Sequence, residues 1–268
     1  MSIGQLRQHL ESLAAAGVLE VPRTAGLLEP PRPEPPRQEP PNAAAAEAAP
    51  RAEPVQPPAP VASTAAAGFQ PLLSLEAPVL AQRAAALDAV QREVAACTRC
   101  QELACSRTQT VFGTGHPAAR ICFFGEAPGA EEDASGEPFV GRAGQLLTKI
   151  IEACRLQREQ VFILNVLKCR PPGNRRPQPL EVENCRGFFQ QQLEIVAPEV
   201  ICCLGATASQ ALLGTEQPIG KLRGRWHHYG TAAVICTYHP SYLLRNPAAK
   251  RDVWEDMKTL MRRLGVEL

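Results

Sequence analysis

The chain has 268 residues, 45% of them hydrophobic, with a formal net charge of +1, 26 prolines and 10 cysteines. This length allows one or two domains, and no apolar stretch is long enough to span a membrane. The N-terminus lacks the apolar core of a secretory signal peptide. We therefore expect a cytoplasmic protein whose cysteines are buried thiols or metal ligands rather than disulfides.

The charge is distributed unevenly along the chain. Up to Ala96 there are 7 Lys and Arg against 10 Asp and Glu, whereas from Cys97 onward there are 21 against 17. The positive excess in the second part is compatible with binding to nucleic acid, although it does not demonstrate it.

The first 79 residues differ in composition from the rest. Apolar residues at helical spacing between Ile3 and Ala14 predict a short amphipathic helix within residues 1–20. Residues 21–79 hold fifteen of the prolines and one aromatic residue, Phe69, which predicts a disordered, partly polyproline linker. We expect this extension to be a spacer, and docking of a protein partner is the alternative.

Residues 80–268 read as one α/β domain. A helical pattern runs from Leu80 to Cys97, and continuous apolar runs then alternate with helical patterns. Such alternation indicates a parallel sheet covered by helices on both faces. The predicted strands are Ile121–Gly125, Val161–Asn165, Val200–Leu204 and Ala233–Tyr238, and the predicted helices are Gln145–Cys154, Pro179–Val196, Ala206–Leu213 and Ala248–Leu264.

Four cysteines have spacing that suits a metal centre. Cys97 and Cys100 form a C-x-x-C pair, Cys169 follows a predicted strand, and Cys185 lies on a predicted helix. Four thiolates can hold either a structural zinc ion or an iron–sulfur cluster, and spacing alone does not separate the two. Unligated thiols are the third possibility. Cys105 is a spare candidate, and the other five cysteines fall within apolar patterns typical of a core.

Two loops carry most of the polar chemistry. The segment from Gly125 to Gly144 follows a buried strand and contains five acids, several glycines and Phe139. His239 and Asn165 each follow another predicted strand. Since ligands bind at the carboxyl ends of strands in open α/β sheets, we expect these residues to share a site. A solvated acidic loop and a structural histidine are the simpler interpretations.

Taken together, these motifs resemble the family 4 uracil-DNA glycosylases, the iron–sulfur branch of that superfamily. The resemblance covers about Cys97 to Leu264 and rests on Gly125-Glu-Ala-Pro-Gly129, Pro138-Phe-Val-Gly-Arg-Ala-Gly144, Asn165-Val-Leu-Lys-Cys-Arg-Pro-Pro172, His239-Pro-Ser241 and the spacing of the four cysteines.

The resemblance implies a three-layer α/β/α sandwich around a four-stranded parallel sheet. It implies hydrolysis of the N-glycosidic bond of uracil in single- and double-stranded DNA, which leaves an abasic site and initiates base excision repair. A structural [4Fe–4S] cluster would be held by Cys97, Cys100, Cys169 and Cys185. We expect a monofunctional glycosylase that acts as a monomer.

The resemblance also implies roles in base recognition. The uracil ring would stack on Phe139, and its edge would meet the Asn165 amide. Glu132 would crowd the C5 side of the ring and so exclude thymine, while Gly125 and Ala127 would complete the binding set.

For the chemistry, His239 would stabilise the uracil anion at O2, and Glu126 would position the attacking water. In the best-known branch of the superfamily an aspartate activates that water, but the corresponding position here is Ala127. This departure argues against classical general-base catalysis and favours a mechanism that relies on electrostatic stabilisation of the sugar cation.

Contacts with DNA are expected around the site. Arg142, Arg245 and the basic set Lys168, Arg170, Arg175 and Arg176 are candidates for phosphate contacts, with solvated surface charge as the alternative. Tyr242 and Leu243 could wedge into the gap left by a flipped base, or they could pack against the sheet edge.

The sequence leaves two alternative functions. The first is an iron–sulfur module that binds nucleic acid without cutting it, which the set of Asn165, Phe139 and His239 argues against. The second is a relative that traps the sugar covalently through a histidine in an inserted loop. The segment Asn174-Arg-Arg-Pro177 contains no histidine, which disfavours this second function.

Overall fold

The computed structural model describes residues 69–268. The predicted N-terminal helix, most of the predicted linker and the predicted partner-binding role lie outside these residues. Helix α1 (Ala77–Ala95) begins three residues before the predicted domain start, and Leu72 already pairs with Ala119. In this part of the chain no helix is both long and apolar enough to cross a membrane.

The sheet has six strands rather than the four that were expected. In chain order they are β1 (Thr114–Gly115), β2 (Ile121–Gly125), β3 (Phe162–Asn165), β4 (Val200–Leu204), β5 (Trp226–Tyr229) and β6 (Ala232–Thr237), and the spatial order is β1-β3-β2-β4-β6-β5. The inner four are parallel and correspond to the predicted strands, whereas β1 and β5 pair antiparallel at the edges. The two edge strands were not predicted, because β1 has only two residues and β5, which is partly exposed, has no continuous apolar run.

The five longest of the nine helices in residues 69–268 correspond to predicted helices, and the four shorter ones were not predicted. After α1 come α2 (Gln101–Ser106), α3 (Ala130–Ser135), α4 (Arg142–Ala153), α5 (Pro179–Val196), α6 (Ala206–Leu213), α7 (Ile219–Leu222), α8 (Pro240–Arg245) and α9 (Lys250–Arg263). Short 3-10 helices lie at Arg158–Gln160, Pro172–Asn174 and Pro247–Ala249. Cys97, expected at a helix end, lies two residues beyond the end of α1.

Two hydrophobic cores lie on opposite faces of the sheet, which confirms the three-layer architecture. Alternate residues of each strand point to opposite faces, so Phe124 joins the core with α1, α5 and α6, while Phe123 joins the core with α4 and α9. Because all five residues of β2 are buried, this strand reads as a continuous apolar run.

The strand order places a crevice at the carboxyl edge of the sheet. The connection that follows β2 leads to β3, on one side of β2, whereas the connection that follows β4 leads to the opposite edge of the sheet, toward β6. The two connections therefore run in opposite directions, and a crevice forms between β2 and β4. Ligands bind at such a switch point in open α/β sheets. The loop after β2, Asn165 at the end of β3, and His239 shortly after β6 all reach this edge.

Helix α4 packs directly on the backbone of Phe139. A Cβ atom added to Gly144 would lie 1.9 Å from both the carbonyl carbon and the carbonyl oxygen of Phe139. Contacts this short force the backbone apart, so only glycine permits the observed approach. Gly144 therefore determines how closely the Phe139 backbone approaches the first turn of α4.

We expect Gly144→Ala to destabilise the protein by about 1–3 kcal/mol, the usual cost of overpacking a core. Gly187→Ala is the matched control, because it lies inside α5 and a Cβ there would meet no heavy atom within 4 Å. This control should stabilise the fold by up to about 1 kcal/mol, the difference in helix propensity. Urea unfolding midpoints measure both changes, and equal midpoints for the two variants would contradict the packing argument.

Candidate active site

A cavity of about 700 Å³ opens at the carboxyl edge of the sheet. Its walls come from the loop after β2, the end of β3, the segment after Cys169, the start of α6 and the turn into α8. The sequence-predicted residues that line it are Glu126, Ala127, Glu132, Phe139, Asn165, Arg175, Arg176, His239, Tyr242 and Arg245. The two predicted loops therefore do share one site.

Asn165 lies at the floor of this cavity and is 2% exposed. Its Oδ1 atom is buried and has no hydrogen-bond partner within residues 69–268. A buried carbonyl oxygen without a partner costs roughly 1–3 kcal/mol, a cost that a ligand with a suitably placed donor would remove. Gly125 makes room for the amide, because a Cβ there would lie 2.2 Å from Oδ1.

Phe139 provides an apolar wall above Asn165. Its ring is 6% exposed and lies 5.6 Å from the imidazole of His239, centroid to centroid, with the planes tilted by 33°. Its backbone adopts a left-handed conformation, with φ of 55°, which is uncommon for a bulky residue. The cavity thus combines an aromatic face with an amide edge, the two features needed to bind a flat heterocycle.

His239 is held as a neutral hydrogen-bond donor. Its Nδ1 atom accepts the backbone N–H of Ser241 at 3.1 Å and lies 2.8 Å from the Ser241 hydroxyl oxygen. The remaining proton of the neutral ring is then on Nε2. Desolvation, followed by the positive charge of Arg245, lowers the pKa of His239 to about 4, against a smaller opposing effect of Glu132.

The acids of the first loop serve different purposes. Asp133 is buried, and both of its carboxylate oxygens accept the backbone N–H of Thr108 at 3.0 Å. Glu132 accepts three backbone N–H groups, from Gly129, Val140 and Gly141. The Glu126 carboxylate lines the cavity and makes no hydrogen bond within the described part of the chain. Of the two acids of this loop that line the cavity, only Glu126 has both carboxylate oxygens available for a ligand or water.

Sequence reasoning did not foresee that this loop contains a helix, α3. Three acids in its first turn interact favourably with the helix N-terminus. The helix stops at Gly136, whose φ of 79° is the left-handed conformation typical of a glycine stop. The acids and glycines that suggested a ligand loop are therefore also signals of helix capping.

Two predicted DNA contacts need correction. Leu243 is 1% exposed and packs in the core formed with α4 and α9, so it is not available to DNA. Its neighbours Tyr242 and Leu244 are 38% and 40% exposed. Lys168 is 1% exposed, and its Nζ atom donates to the carbonyl oxygens of Phe112 and Asn165, so it cannot contact phosphates either.

The remaining basic residues lie at or near the rim of the cavity. Arg245 and Arg142 are exposed, and Arg142 does not line the cavity. Arg175 is held by an ion pair with Glu181 at 2.7 Å and a second with Glu102 at 2.8 Å. Arg176 is 3.5 Å from the hydroxyl of Thr207. Arg176 and Arg245 therefore bring positive charge to the rim, whereas the charge of Arg175 is offset by its two acidic partners.

The structure brings the four predicted cysteine ligands together. Cys169 and Cys185 belong to the core beneath α1, and Cys97 and Cys100 pack against it. Burial raises the pKa of Cys169, and the neighbouring Cys97 and Cys100 raise it further. Burial likewise raises the pKa of Cys185 to about 11, with added effects of Cys169 and Cys100. The four thiols are therefore close enough to influence one another.

Hydrogen-bond donors surround these sulfur atoms. Arg107 donates to the Sγ atom of Cys169 at 3.0 Å, Asn184 donates to that of Cys100 at 3.4 Å, and the backbone N–H of Lys168 points to that of Cys185. Donors aimed at sulfur stabilise thiolates and tune iron–sulfur centres. This donor set fits a group ligated by cysteine.

Within residues 69–268 no group of three or more Cys, His, Asp or Glu side chains is close enough to hold a single metal ion. By their chemistry, four thiolates are the ligand set of either a structural zinc ion or an iron–sulfur cluster.

Ser241 and Arg158 were not assigned roles from the sequence. Ser241 orients the imidazole through its backbone N–H. Its position two residues after His239 is the only feature of the sequence that could have indicated this role. Arg158 lies outside every motif and donates to the carbonyl oxygen of Pro138, next to Phe139.

Comparison with known proteins agrees with the motifs. The profile of the Uracil DNA glycosylase superfamily matches residues 112–258. A Type-4 uracil-DNA glycosylase of Thermotoga maritima is 47% identical over 178 residues, which cover 64% of this chain and 91% of the relative. The Type-4 uracil-DNA glycosylase of Archaeoglobus fulgidus is 42% identical over 182 residues, 65% of this chain and 91% of the relative.

A more distant relative, the Type-5 uracil-DNA glycosylase of Thermus thermophilus, is 31% identical over 152 residues, 49% of this chain and 68% of that protein. The higher identity and coverage place the chain with the Type-4 proteins. With the family profile spanning more than half of its length, the chain belongs to the uracil DNA glycosylase superfamily.

Proposed function

We propose that this protein is a monofunctional uracil-DNA glycosylase, which hydrolyses the N-glycosidic bond of uracil in single- and double-stranded DNA. The product is an abasic site, the starting point of base excision repair. The proposal rests on family membership and, above all, on one observation. The buried Asn165 amide has an oxygen without a partner at the floor of a cavity that Phe139 covers.

An amide matches the edge of uracil. Uracil presents an N3–H donor beside the O4 acceptor, and an asparagine side chain offers the complementary acceptor and donor. Cytosine has an acceptor at N3 and a donor at the exocyclic amine, so it would leave the buried Oδ1 atom facing the wrong partner. Leaving buried polar groups unpaired is the strongest basis for rejecting a related substrate.

His239 supplies the electrostatic part of the reaction. Cleavage of the glycosidic bond leaves negative charge on the uracil ring, and a donor preoriented toward that charge stabilises the transition state. The Ser241 N–H keeps the proton of His239 on Nε2, the atom that can donate to uracil O2. A neutral ring is suited to this task, because it needs no change in protonation before it donates.

Glu126 is proposed to position the attacking water. Its carboxylate lines the cavity and is not engaged elsewhere in the described residues, whereas Ala127 lines the same wall without any polar group. A carboxylate at this place can accept a hydrogen bond from water, and it also stabilises positive charge on the sugar. Glu132 lines the cavity as well, which supports the proposed exclusion of the thymine methyl group.

The target base has to leave the helix before it enters the cavity, at a cost of a few kcal/mol. Tyr242 and Leu244 are exposed on α8 beside the cavity and are proposed to fill the gap in the base stack. Arg245 and Arg142, with the arginines after Cys169, are proposed to contact phosphates.

We further propose that Cys97, Cys100, Cys169 and Cys185 hold a structural [4Fe–4S] cluster. Such a cluster would crosslink three separate segments, namely the turn between α1 and α2, the loop after β3, and α5. Its chemistry is that of a permanent crosslink rather than of electron transfer, because the cavity contains no group that needs to be oxidised or reduced for hydrolysis.

The activity is tested by incubating the protein with single-stranded DNA that contains one uracil and then treating the DNA with alkali. We expect strand breakage at the uracil position after alkali and an intact strand without it. Asn165→Ala should lower kcat/KM by roughly 10- to 100-fold, as expected for the loss of buried hydrogen bonds worth about 1–3 kcal/mol.

The same strand carrying cytosine or thymine in place of uracil is the control for specificity, and it should stay intact. Thermal unfolding shows whether the Asn165 variant is folded. If the wild-type protein binds uracil-containing DNA without making it sensitive to alkali, the protein is a binding module rather than a glycosylase. A protein–DNA adduct stable on a denaturing gel would instead indicate covalent trapping.

The low pKa of His239 predicts an unusual pH profile. Because burial holds the pKa near 4, the imidazole stays neutral as pH falls through 6.5, where an ordinary histidine gains its proton. We expect kcat/KM, which reports on the free enzyme, to stay level between pH 8 and 5 and to fall only as pH approaches about 4.

His239→Gln should lower the rate and lose this acidic limb. His228→Gln is the matched control, because His228 is exposed on the edge strand β5, and its profile should follow the wild type. An inflection near pH 6.5 that is present in the wild type and absent from the His239 variant would contradict a neutral donor.

The cysteine ligands predict the colour of the protein. We expect a brown preparation with broad absorption near roughly 400 nm, as for other cysteine-ligated iron–sulfur centres. Cys185→Ser should lose the absorption and unfold at lower temperature, whereas Cys105→Ser, at an exposed cysteine, should keep both. A colourless wild-type protein with one zinc per chain would overturn the cluster assignment.

A further inference from the structure

The turn Pro138–Gly141 holds Phe139 in a conformation that needs support. The φ of 55° lies in the left-handed region, which disfavours residues with a Cβ atom, and a bulky side chain there is strained. Such a conformation persists only where surrounding contacts determine it. The question is which side chains hold the turn.

Glu132 holds the C-terminal side of the turn. Its Oε1 atom accepts the backbone N–H of Val140 at 3.0 Å and that of Gly141 at 2.9 Å, and its Oε2 atom accepts that of Gly129 at 3.0 Å. A carboxylate that accepts several backbone N–H groups forms strong, charge-assisted hydrogen bonds. The residues directly after Phe139 are therefore fixed to α3.

Arg158 holds the N-terminal side of the same turn. Its guanidinium donates to the carbonyl oxygen of Pro138, the residue directly before Phe139. Arg158 is half-buried, in the 3-10 helix that leads into β3, so the hydrogen bond joins the turn to the strand that carries Asn165. Its other terminal nitrogen, Nη1, is buried without a partner in residues 69–268, which shows that the side chain is enclosed rather than solvated.

Glu132 and Arg158 carry opposite charges and hold the turn on the two sides of Phe139. Burial lowers the pKa of Arg158, and the negative charges of Glu137, Glu159 and, least of the three, Glu132 oppose this effect. One side chain binds a carbonyl group and the other binds N–H groups, so each fixes the orientation of the peptide that it contacts. A turn held at both peptides leaves the ring between them with a defined direction.

We propose that Arg158 is a positioning residue for base binding: together with Glu132 it holds Pro138–Gly141 so that the Phe139 ring faces the base. Arg158 does not line the cavity and does not touch the base itself. The proposal rests on the proposed function, since it assumes that a uracil ring stacks on Phe139. It adds a residue from outside the motifs to the machinery of base recognition.

Arg158→Met tests the proposal, because methionine keeps the apolar stem and removes the donor. Misplacing a reacting group by about 1 Å can cost on the order of 100-fold in rate, so we expect kcat/KM on uracil-containing DNA to fall by on the order of 10- to 100-fold. Arg158→Lys retains a donor and should recover part of this loss. Arg92→Met, at an exposed residue of α1 remote from the cavity, should leave the activity unchanged.

A double-mutant cycle separates positioning from general stability. Phe139→Ala removes the ring, so Arg158→Met should cause little further loss in that background if it acts through the ring. Equal losses in both backgrounds would show that Arg158 supports the fold as a whole, and full activity of Arg158→Met would show that it has no role. If Arg158→Met does not fold, Arg158→Gln takes its place in the cycle, because its side chain is polar but too short to keep the donor at the Pro138 carbonyl.

A binding measurement gives a readout that does not depend on cleavage. DNA with a 2′-fluorinated deoxyuridine resists cleavage, because fluorine disfavours positive charge on the sugar. We expect Arg158→Met to bind it less tightly while its affinity for the same DNA with thymidine is unchanged. Equal weakening for both DNAs would contradict a role at the base. Failure of the wild type to cleave uracil-containing DNA would refute the proposed function instead, so the two failures are distinguishable.

Discussion

The close approach of three groups at Gly125 determines the shape of the site. The Asn165 amide and the Phe139 ring occupy the space where a side chain at position 125 would be, with contacts of 2.2 and 2.5 Å to an added Cβ. This packing is possible because β2 and β3 are neighbours in parallel register, which pairs Gly125 with Asn165. The sheet therefore delivers the amide, and the absence of a side chain at Gly125 lets the ring close over it.

Around this contact the buried titratable groups of the site are either neutral or compensated by hydrogen bonds. Removing water strengthens each hydrogen bond that the cavity can offer, but it also penalises charge. His239 follows this rule, since burial keeps it neutral at ordinary pH. The acids of the first loop avoid the penalty differently, because Asp133 and Glu132 are satisfied by backbone N–H groups. Glu126 is left as the carboxylate that faces the cavity.

Much of the fold could be predicted from the sequence, because buried parallel strands and long amphipathic helices have strong periodic patterns. Helices α5 and α6 have the predicted bounds, and the inner strands agree to within one residue at each end. The edge strands β1 and β5 were missed, since β1 has only two residues and β5 is partly exposed and has no continuous apolar run. Helix α3 was missed because its acids and glycines also describe a ligand loop.

The site was predicted less completely, and the reason is also physical. A residue at the end of a strand is directed to a known edge, so Asn165 and His239 could be placed from sequence position alone. Whether Leu243 or Leu244 faces solvent depends on the phase of one short helix, α8, which periodicity over six residues does not determine. Arg158 reaches Pro138 across tertiary structure, and no local pattern carries that information.

The segment from Asn165 to Cys169 connects the floor of the cavity to the four cysteines. The buried Lys168 donates from Nζ to the carbonyl oxygen of Asn165 at 2.9 Å, and its backbone N–H points to the sulfur of Cys185. Burial lowers the pKa of Lys168 to about 7, while the neighbouring thiols act in the opposite direction. One residue thus links the backbone of Asn165 to one of the four cysteines. Because of this link, we expect a displacement of the four sulfur atoms to shift Asn165, the residue proposed to read the base.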